Sequence, residues 1–331
     1  MGLVAIGNLT GGRWAAAARP FYLAITATLP LVLISSVPIA LGIEYIYPWA
    51  ALDSVERQTM PPGKAAYLSA EFFLIRAAIY FALWLFASML LRRASLLSLP
   101  PGSMPAMRRS GAISLVLLVP TTTFAAFDWG MSLEPGWYSS IYGAILTAGG
   151  VIAAHALAIA GVILTSGDSG SLTLPTEERT PSNVPVADIL GDLGNLLLTF
   201  VMLWAYFAFS QFLIIWSGDL PDEIAWYERR IHAGWGALAL IVVVLQFIVP
   251  FVLLLSRESK RNGRALMRFA ALLIVAYPVS MYWTIVPAFP NSNGSAHLLS
   301  VSALFGLGGL WFALYCWQTN RILSSPGSRR T

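Results

Sequence analysis

An aspartate, an arginine and a histidine lie in stretches of this chain that are otherwise almost entirely apolar. Asp128 ends one apolar run, Arg76 lies inside another, and His155 lies inside a third. Ionisable groups at such positions are costly to bury, so each needs a partner or a function. Burial favours the neutral form of an aspartate and a nearby arginine favours the charged form, so Asp128 beside Arg76 could be a tunable proton site. The alternative is a structural ion pair that fixes the packing of two helices.

His155 is the histidine that lies deepest in an apolar run. An imidazole titrates near neutral pH and can pass on a proton, which makes His155 a candidate for a proton relay. The alternatives are a hydrogen bond to a neighbouring helix, or ligation of a metal or haem. Bis-histidine haem ligation needs a second deep histidine, and His232 and His297 lie at the ends of apolar runs. With a single cysteine, Cys316, we expect no metal site and no covalently bound cofactor.

Further polar residues extend the possible path. Glu71 precedes Arg76 by five residues, a spacing that does not stack two side chains on a helix. Asp188 and Asp192 are four residues apart, on one helical face, and could form the cytoplasmic mouth of a proton path. Acids at a helix start are also favoured by the helix dipole alone. Gln246 in mid-membrane could support waters or could hold two helices together.

Four aromatic residues crowd one loop and its flanks, and we interpret them in two ways. They are Trp216, Trp226, Tyr227 and Trp235. Tryptophan and tyrosine near the ends of apolar runs are typical of the aromatic belt at a membrane surface. The same four side chains could wall a pocket for a quinone head group.

The composition predicts an all-α polytopic membrane protein. Apolar residues make up 57% of the chain, charged residues only 11%, and the mean hydropathy is +0.70. Soluble domains are about 25% charged. Runs of about 20 apolar residues cross a bilayer as helices, because a helix satisfies its own backbone in lipid. Eight runs are long enough, at about 20–44, 65–91, 111–131, 138–165, 190–216, 232–256, 266–287 and 296–318.

The longest polar segment divides these spans four and four. Residues 166–187 are rich in serine, threonine, proline and glycine, which predicts a flexible cytoplasmic linker. We therefore expect one four-helix bundle in residues 1–165 and a second in residues 188–331.

The basic residues predict the orientation. With eight spans, 15 of the 20 lysines and arginines fall on the side that carries both termini, and 4 fall on the other side. The 15 are Arg13, Arg19, Arg92, Arg93, Arg108, Arg109, Arg179, Arg257, Lys260, Arg261, Arg264, Arg268, Arg321, Arg329 and Arg330. This bias places both termini in the cytoplasm.

The net charge of +4 is therefore a signal of topology and gives no reason to expect nucleic acid as a partner. The opposite side is acidic. Its acids are Glu44, Asp53, Glu56, Glu134, Asp219, Asp222, Glu223 and Glu228. They are interpreted either as ordinary solvated loops or as a docking face for an external partner.

Three long segments, with GGRW near the start, resemble one family. They read FAAFDWGMSLEPGWYSSIYG, DLGNLLLTFVMLWAYFAFSQFLIIWSGDLPDEIAWYERR and ALIVVVLQFIVPFVLLLSRESKRN. The family is the second large membrane subunit (ActF) of alternative complex III, a bacterial quinol:cytochrome c oxidoreductase. It belongs to the NrfD/polysulfide-reductase group of membrane subunits. The resemblance covers about residues 9–290.

The resemblance implies a helical subunit of the bacterial inner membrane that supports quinol oxidation and could carry a proton path. It implies a paralogous quinol-oxidising membrane subunit as partner, together with iron–sulfur and multihaem cytochrome c subunits. Menaquinone or ubiquinone would be the quinone. Such subunits usually carry ten spans, and the eight found here suggest that an N-terminal pair is missing. A secondary transporter and a passive membrane anchor for redox subunits are the competing functions, although no inverted repeat is visible.

Overall fold

The computed structural model describes residues 1–52, 60–96, 104–167, 171–175, 181–232, 234–289 and 294–324. Within these residues, eight helical stretches are long and apolar enough to cross a membrane, which confirms the predicted all-α polytopic fold. Numbered as spans 1 to 8, they are Arg13–Leu41, Ala70–Ser95, Met104–Leu133, Tyr142–Ser166, Val186–Gly218, Trp235–Leu255, Gly263–Ala288 and His297–Leu323.

The helices and strands follow one another along the chain in the order given next. They are α1 (Gly2–Thr10), α2 (Arg13–Thr26), α3 (Leu29–Leu41), α4 (Ile43–Ile46), α5 (Pro62–Tyr67), α6 (Ala70–Leu96), α7 (Met104–Trp129), α8 (Tyr142–Ser166), β1 (Ser171–Pro175), β2 (Pro181–Pro185), α9 (Val186–Gly218), α10 (Pro221–Ile231), α11 (Trp235–Val243), α12 (Val249–Leu255), α13 (Arg257–Arg261), α14 (Gly263–Ile285) and α15 (Gly294–Leu323). Short 3₁₀ turns lie at Pro48–Ala50, Met131–Leu133 and Val286–Ala288.

Prolines interrupt two of the spans. Span 1 breaks between α2 and α3, where Pro30 lies in the first turn of α3. Proline has no N–H to donate to the carbonyl four residues earlier, which weakens the helix at this position. Span 6 contains a π-helical turn at Val244–Ile248, and Pro250 follows in the first turn of α12. Both interruptions leave backbone carbonyls without their usual helical partners.

Span 4 lies at the centre of the molecule. Its helix α8 packs against α2, α7, α9 and α14. Glycine permits the closest of these approaches, since a Cβ on Gly161 would lie 2.3 Å from Cδ1 of Phe21. The main core cluster therefore joins α2, α8, α9 and α14, through residues such as Phe21, Ile152, Leu197 and Leu273.

The first helix, α1, was not predicted from the sequence. It packs against α7, where a Cβ on Gly111 would lie 2.6 Å from the carbonyl oxygen of Ala5. The Asn8 side chain donates a hydrogen bond of 3.2 Å to Ser110. A helix of nine residues is too short to cross a bilayer, so a search for spans passes over it.

Span 8 is the most peripheral of the eight. Only 6% of its apolar window is buried inside the molecule, against 44% for span 4. Helix α15 contacts α2, and Trp311 Nε1 donates a hydrogen bond of 2.8 Å to Thr28 Oγ1. Because span 8 lies on span 1 and span 7 lies on span 4, contacts cross between the two predicted halves. The division into two four-helix bundles stays a prediction.

Two paired strands lie in the segment predicted as a flexible linker. Strands β1 and β2 are antiparallel, with Thr173 opposite Asn183. Residues 168–170 and 176–180 of this segment lie outside the described residues, as does Arg179. The linker prediction is therefore only partly covered by the structure.

Candidate functional site

Asp128 accepts four hydrogen bonds at the end of span 3. Arg76 donates two of them, from Nε at 2.8 Å and from Nη2 at 2.9 Å. The hydroxyl groups of Tyr67 and Tyr80 donate the other two, both at 2.8 Å. Asp128 is 1% exposed and Arg76 is 7% exposed. The ion pair suggested by the sequence between spans 2 and 3 is therefore present, and it is buried.

Aromatic rings hold the guanidinium of Arg76 in place. Its Cζ lies 3.8 Å from the ring centre of Tyr67 and 4.4 Å from that of Phe72. Its Nη1 donates to the carbonyl of Tyr67 at 2.9 Å. Burial and the hydrogen bond to Asp128 raise the pKa of Tyr67 to about 12. Tyr67 therefore keeps its proton and remains a hydrogen-bond donor to Asp128 throughout the neutral pH range.

This geometry favours the structural interpretation of Asp128 over the proton-site interpretation. Each carboxylate oxygen already accepts two hydrogen bonds, so an added proton would displace at least one donor. A bidentate arginine pair is also among the strongest charge-assisted contacts in proteins. Glu71 does not join the cluster: its side chain is exposed, and no described residue forms an ion pair with it.

A second buried ion pair lies at the same end of the molecule, and the sequence analysis missed it. Glu134 Oε2 lies 2.6 Å from Nη2 of Arg230, whose side chain is 1% exposed. Arg230 also donates to the carbonyl of Thr284, from Nη2 at 2.7 Å and from Nε at 3.2 Å. Arg229 approaches the other oxygen of Glu134 at 2.7 Å but remains half exposed. Burial lowers the pKa of Arg230, against the opposing effect of Glu134.

Tryptophan side chains enclose this second pair. The Cζ of Arg230 lies 3.8 Å from the ring centre of Trp226, and Trp226 stacks on Trp137 at 4.7 Å between ring centres. Trp283 Nε1 donates to the carbonyl of Arg230 at 3.2 Å. The sequence analysis treated Glu134 and Arg230 as loop charges. Their burial could not be predicted, because it depends on how aromatic residues from distant parts of the chain pack around them.

The four candidate residues for a quinone pocket do not form one wall. Trp226 is buried and contacts Tyr227 at 4.9 Å between ring centres. Trp216 is 69% exposed, as expected for a residue of the aromatic belt. Trp235 lies against Tyr282, at 5.8 Å between ring centres. Of the four, only Trp226 and Tyr227, which are adjacent in the sequence, are in contact through their rings.

His155 is fully buried and both of its ring nitrogens have partners. Nε2 lies 2.9 Å from the carbonyl oxygen of Leu193, so Nε2 carries the proton and donates. Nδ1 lies 2.5 Å from the hydroxyl oxygen of Tyr22 and accepts from it when the imidazole is neutral. His155 thus joins α8 to α2 and α9. Its bonded carbonyl belongs to the residue that follows Asp192.

Gln246 has the opposite character. Its side chain is 2% exposed, and neither amide atom has a hydrogen-bond partner among the described residues. It lies in the π-helical turn of span 6, and its Nε2 is 3.4 Å from the position that a Cβ on Gly149 would take. An unpaired buried amide is expensive, and π-helical turns occur frequently at functional sites. Gln246 is therefore the strongest single candidate for binding a polar group inside the bundle.

Asp188 and Asp192 form ion pairs at the opposite end of the molecule. Asp192 Oδ2 lies 3.0 Å from Nη2 of Arg13, and Asp188 Oδ1 lies 2.7 Å from Nη2 of Arg261. Both pairs are partly exposed. The end that carries these two pairs is called the basic end below, and the end that carries Asp128 and Glu134 is called the acidic end.

No family model matches the chain, and no curated protein matches it. In the part of the chain that the structure describes, no group of three His, Cys, Asp or Glu side chains could hold a metal ion. Among the described residues, the arrangement consists of two buried ion pairs that fix charge at the acidic end and one buried amide, Gln246, without a hydrogen-bond partner.

Proposed function

We propose that this chain is an integral membrane subunit of a quinol oxidoreductase complex of the alternative complex III kind. The main support is that the segments resembling the ActF family contain the acid of each buried charge cluster and the buried arginine of the second cluster. Asp128 and Glu134 lie in the first segment, and Arg230 lies in the second. These residues hold the acidic end together in the structure. We place the acidic end toward the periplasm, because the basic residues favour the other side as cytoplasmic.

In this proposal, the redox centres belong to partner subunits. These partners are a paralogous quinol-oxidising membrane subunit, an iron–sulfur subunit and a multihaem cytochrome c subunit. The chain itself contributes one cysteine, Cys316, which cannot alone ligate a cluster or attach a haem. Its contribution is a rigid helical body, and the quinone is menaquinone or ubiquinone bound between subunits.

Isolation of the native complex tests this assignment. Affinity purification through a tag on the chain should yield a complex that oxidises quinol. The complex should contain covalent haem and iron–sulfur clusters in a fixed ratio to the chain. Recovery of the chain alone from mild detergent, with transport of a solute after reconstitution, would instead support a secondary transporter. A complex that keeps its full activity after the chain has been removed would reduce the chain to a passive anchor.

We also propose that protons cross the chain along span 4. Asp192 lies at the basic end, and the residue after it, Leu193, accepts a hydrogen bond from His155 of the central helix α8. Gly149, on the same helix, lies beside Gln246 of span 6. The next polar side chain toward the acidic end is Gln211 on span 5. Its Oε1 accepts a hydrogen bond of 2.8 Å from the hydroxyl of Ser139. Asp128 serves in this proposal as a fixed charge and does not carry protons.

The substitution Gln246→Leu tests the path. It removes the amide and keeps a similar side-chain volume, so the complex should still oxidise quinol while translocating fewer protons per electron. Gln318→Leu, on the peripheral span 8, is the matched control and should leave the proton yield unchanged. An unchanged yield in Gln246→Leu would refute the path without affecting the assignment to the complex.

A further inference from the structure

A cavity of about 260 Å³ lies at the basic end, where α2, α9 and α13 meet. The residues that line it are Arg13, Asp188, Gly191, Asp192, Asn195, Arg257, Lys260 and Arg261. Four of these side chains are cationic and two are carboxylates, so the lining carries an excess of positive charge.

This positive excess comes from Arg257 and Lys260. Asp192 pairs with Arg13 and Asp188 pairs with Arg261, which balances those four charges. No described residue forms an ion pair with Arg257 or Lys260. Two cations that face one concave site attract an anion with at least two acceptor oxygens.

The site is built by the close packing of α13 on α9. A Cβ on Gly194 would lie 2.8 Å from Cγ and 3.0 Å from Cβ of Lys260. Only glycine at this position lets the stem of Lys260 lie flat against α9. One turn earlier, a Cβ on Gly191 would lie 3.5 Å from Cγ of Arg261. The position of Lys260 is thus set by Gly194, whereas Arg261 makes only an ordinary van der Waals approach to Gly191.

The apolar end of span 6 leads into the helix that lines the cavity. Val252 and Leu255, each 58% exposed, lie at the end of span 6, and Arg257 begins α13 two residues after Leu255. A ligand in the cavity therefore has cations around its polar part and a hydrophobic helix alongside. This combination matches an anionic phospholipid better than it matches a soluble metabolite.

We propose that this cavity binds the phosphate group of an anionic phospholipid, with an acyl chain lying along α12. Arg257 and Lys260 supply the charge, and the guanidinium of Arg13 or Arg261 can turn from its partly exposed carboxylate partner to the phosphate. Planar guanidinium groups bind phosphate through paired hydrogen bonds, whereas lysine acts as a compact charge. The proposal does not depend on the electron-transfer function or on the orientation.

The test uses the full-length chain in a neutral detergent. Short-chain phosphatidylglycerol and phosphatidylcholine are titrated, and apparent Kd values are measured together with lipid retention in native mass spectrometry. The variant is Arg257→Gln with Lys260→Gln. Its control is Arg92→Gln with Arg93→Gln, which removes two exposed arginines outside the cavity. Each basic residue near an anionic surface raises the binding affinity roughly fivefold, so the apparent Kd of the cavity variant for phosphatidylglycerol should rise roughly thirtyfold.

The expected result is selective binding of phosphatidylglycerol by the wild type and by the control, and its loss in the cavity variant. Equal loss in both double variants would overturn the proposal in favour of diffuse surface attraction. Failure of the wild type to distinguish the two lipids would overturn it as well, as would displacement of phosphatidylglycerol by millimolar inorganic phosphate. If the cavity variant fails to fold, Gly194→Ala, which displaces Lys260, should weaken binding instead, and unchanged binding in it would contradict the proposal.

Discussion

Ion pairs of the same residue types have different surroundings at the two ends of this molecule. At the acidic end, the side chains of Arg76 and Asp128 are 8% and 1% exposed. At the basic end, those of Arg13 and Asp192 are 49% and 33% exposed. A buried pair loses its hydration and must be fully hydrogen-bonded, whereas a half-exposed pair keeps water as an alternative partner. The acidic end is therefore held in one arrangement, and the basic end is free to exchange partners.

The largest effect should follow from breaking the Arg76–Asp128 pair. Asp128→Asn leaves the guanidinium of Arg76 buried without its counter-charge, which should lower the free energy of unfolding by about 3–5 kcal/mol. Thermal or denaturant unfolding in detergent measures this loss. The double variant Asp128→Leu with Arg76→Met removes both charges, so it should be more stable than Asp128→Asn and should recover most of the free energy that Asp128→Asn loses. If the double variant were no more stable than Asp128→Asn, the cost would not come from the unpaired charge.

Arg230 and Arg229 provide a matched comparison within the acidic end, because both contact Glu134. Arg230→Gln removes the buried partner and its bonds to the carbonyl of Thr284, and should cost about 3 kcal/mol or more. Arg229→Gln removes the half-exposed partner and should cost about 1 kcal/mol or less. Unfolding measured on the two variants side by side compares the two sites directly. Equal costs would show that burial is not what separates the two arginines.

Tyr67→Phe should have an intermediate effect that depends on pH. It removes one of four donors to Asp128, at a cost of about 1 kcal/mol near neutral pH. The folded-state pKa of Tyr67 is raised above its unfolded value, so its stabilisation is complete below pH 10 and is lost as the pH rises toward about 12. The stability difference between wild type and Tyr67→Phe should therefore shrink over that range. A constant difference from pH 8 to pH 12 would argue against the raised pKa.

The smallest effect is expected at the basic end. Asp192→Asn removes the partly exposed partner of Arg13 and should change the free energy of unfolding by less than about 1 kcal/mol. Raising the salt concentration should remove most of that difference, because exposed charges are screened over about 10 Å at 0.1 M salt. A loss comparable to that of Asp128→Asn would mean that the two ends do not differ as their exposure indicates.

Sequence reasoning succeeded where hydropathy alone determines the outcome. The eight spans follow from runs of apolar residues, and the Arg76–Asp128 pair follows from the depth of two charges on adjacent spans. The burial of Arg230 was missed because it depends on Trp226 and Thr284, which lie on elements packed together only in the folded state. The π-helical turn was missed for the same kind of reason, although Pro250 marks its position.

The hydrogen bond from Trp311 to Thr28 links the edge of the molecule to the break in its first span. Span 8 buries little of its surface inside the molecule and otherwise bonds α14 through His297 and Tyr282, so we expect it to detach more readily than the spans packed in the core. When it detaches, Thr28 loses a partner at the point where α2 already ends and α3 begins. Opening should therefore spread from the outermost helix to the middle of span 1, and backbone amides next to Thr28 should exchange together with those of α15. We therefore expect α3 and α15 to form the least stable unit, although they lie near opposite ends of the sequence, while α2 stays in the main core.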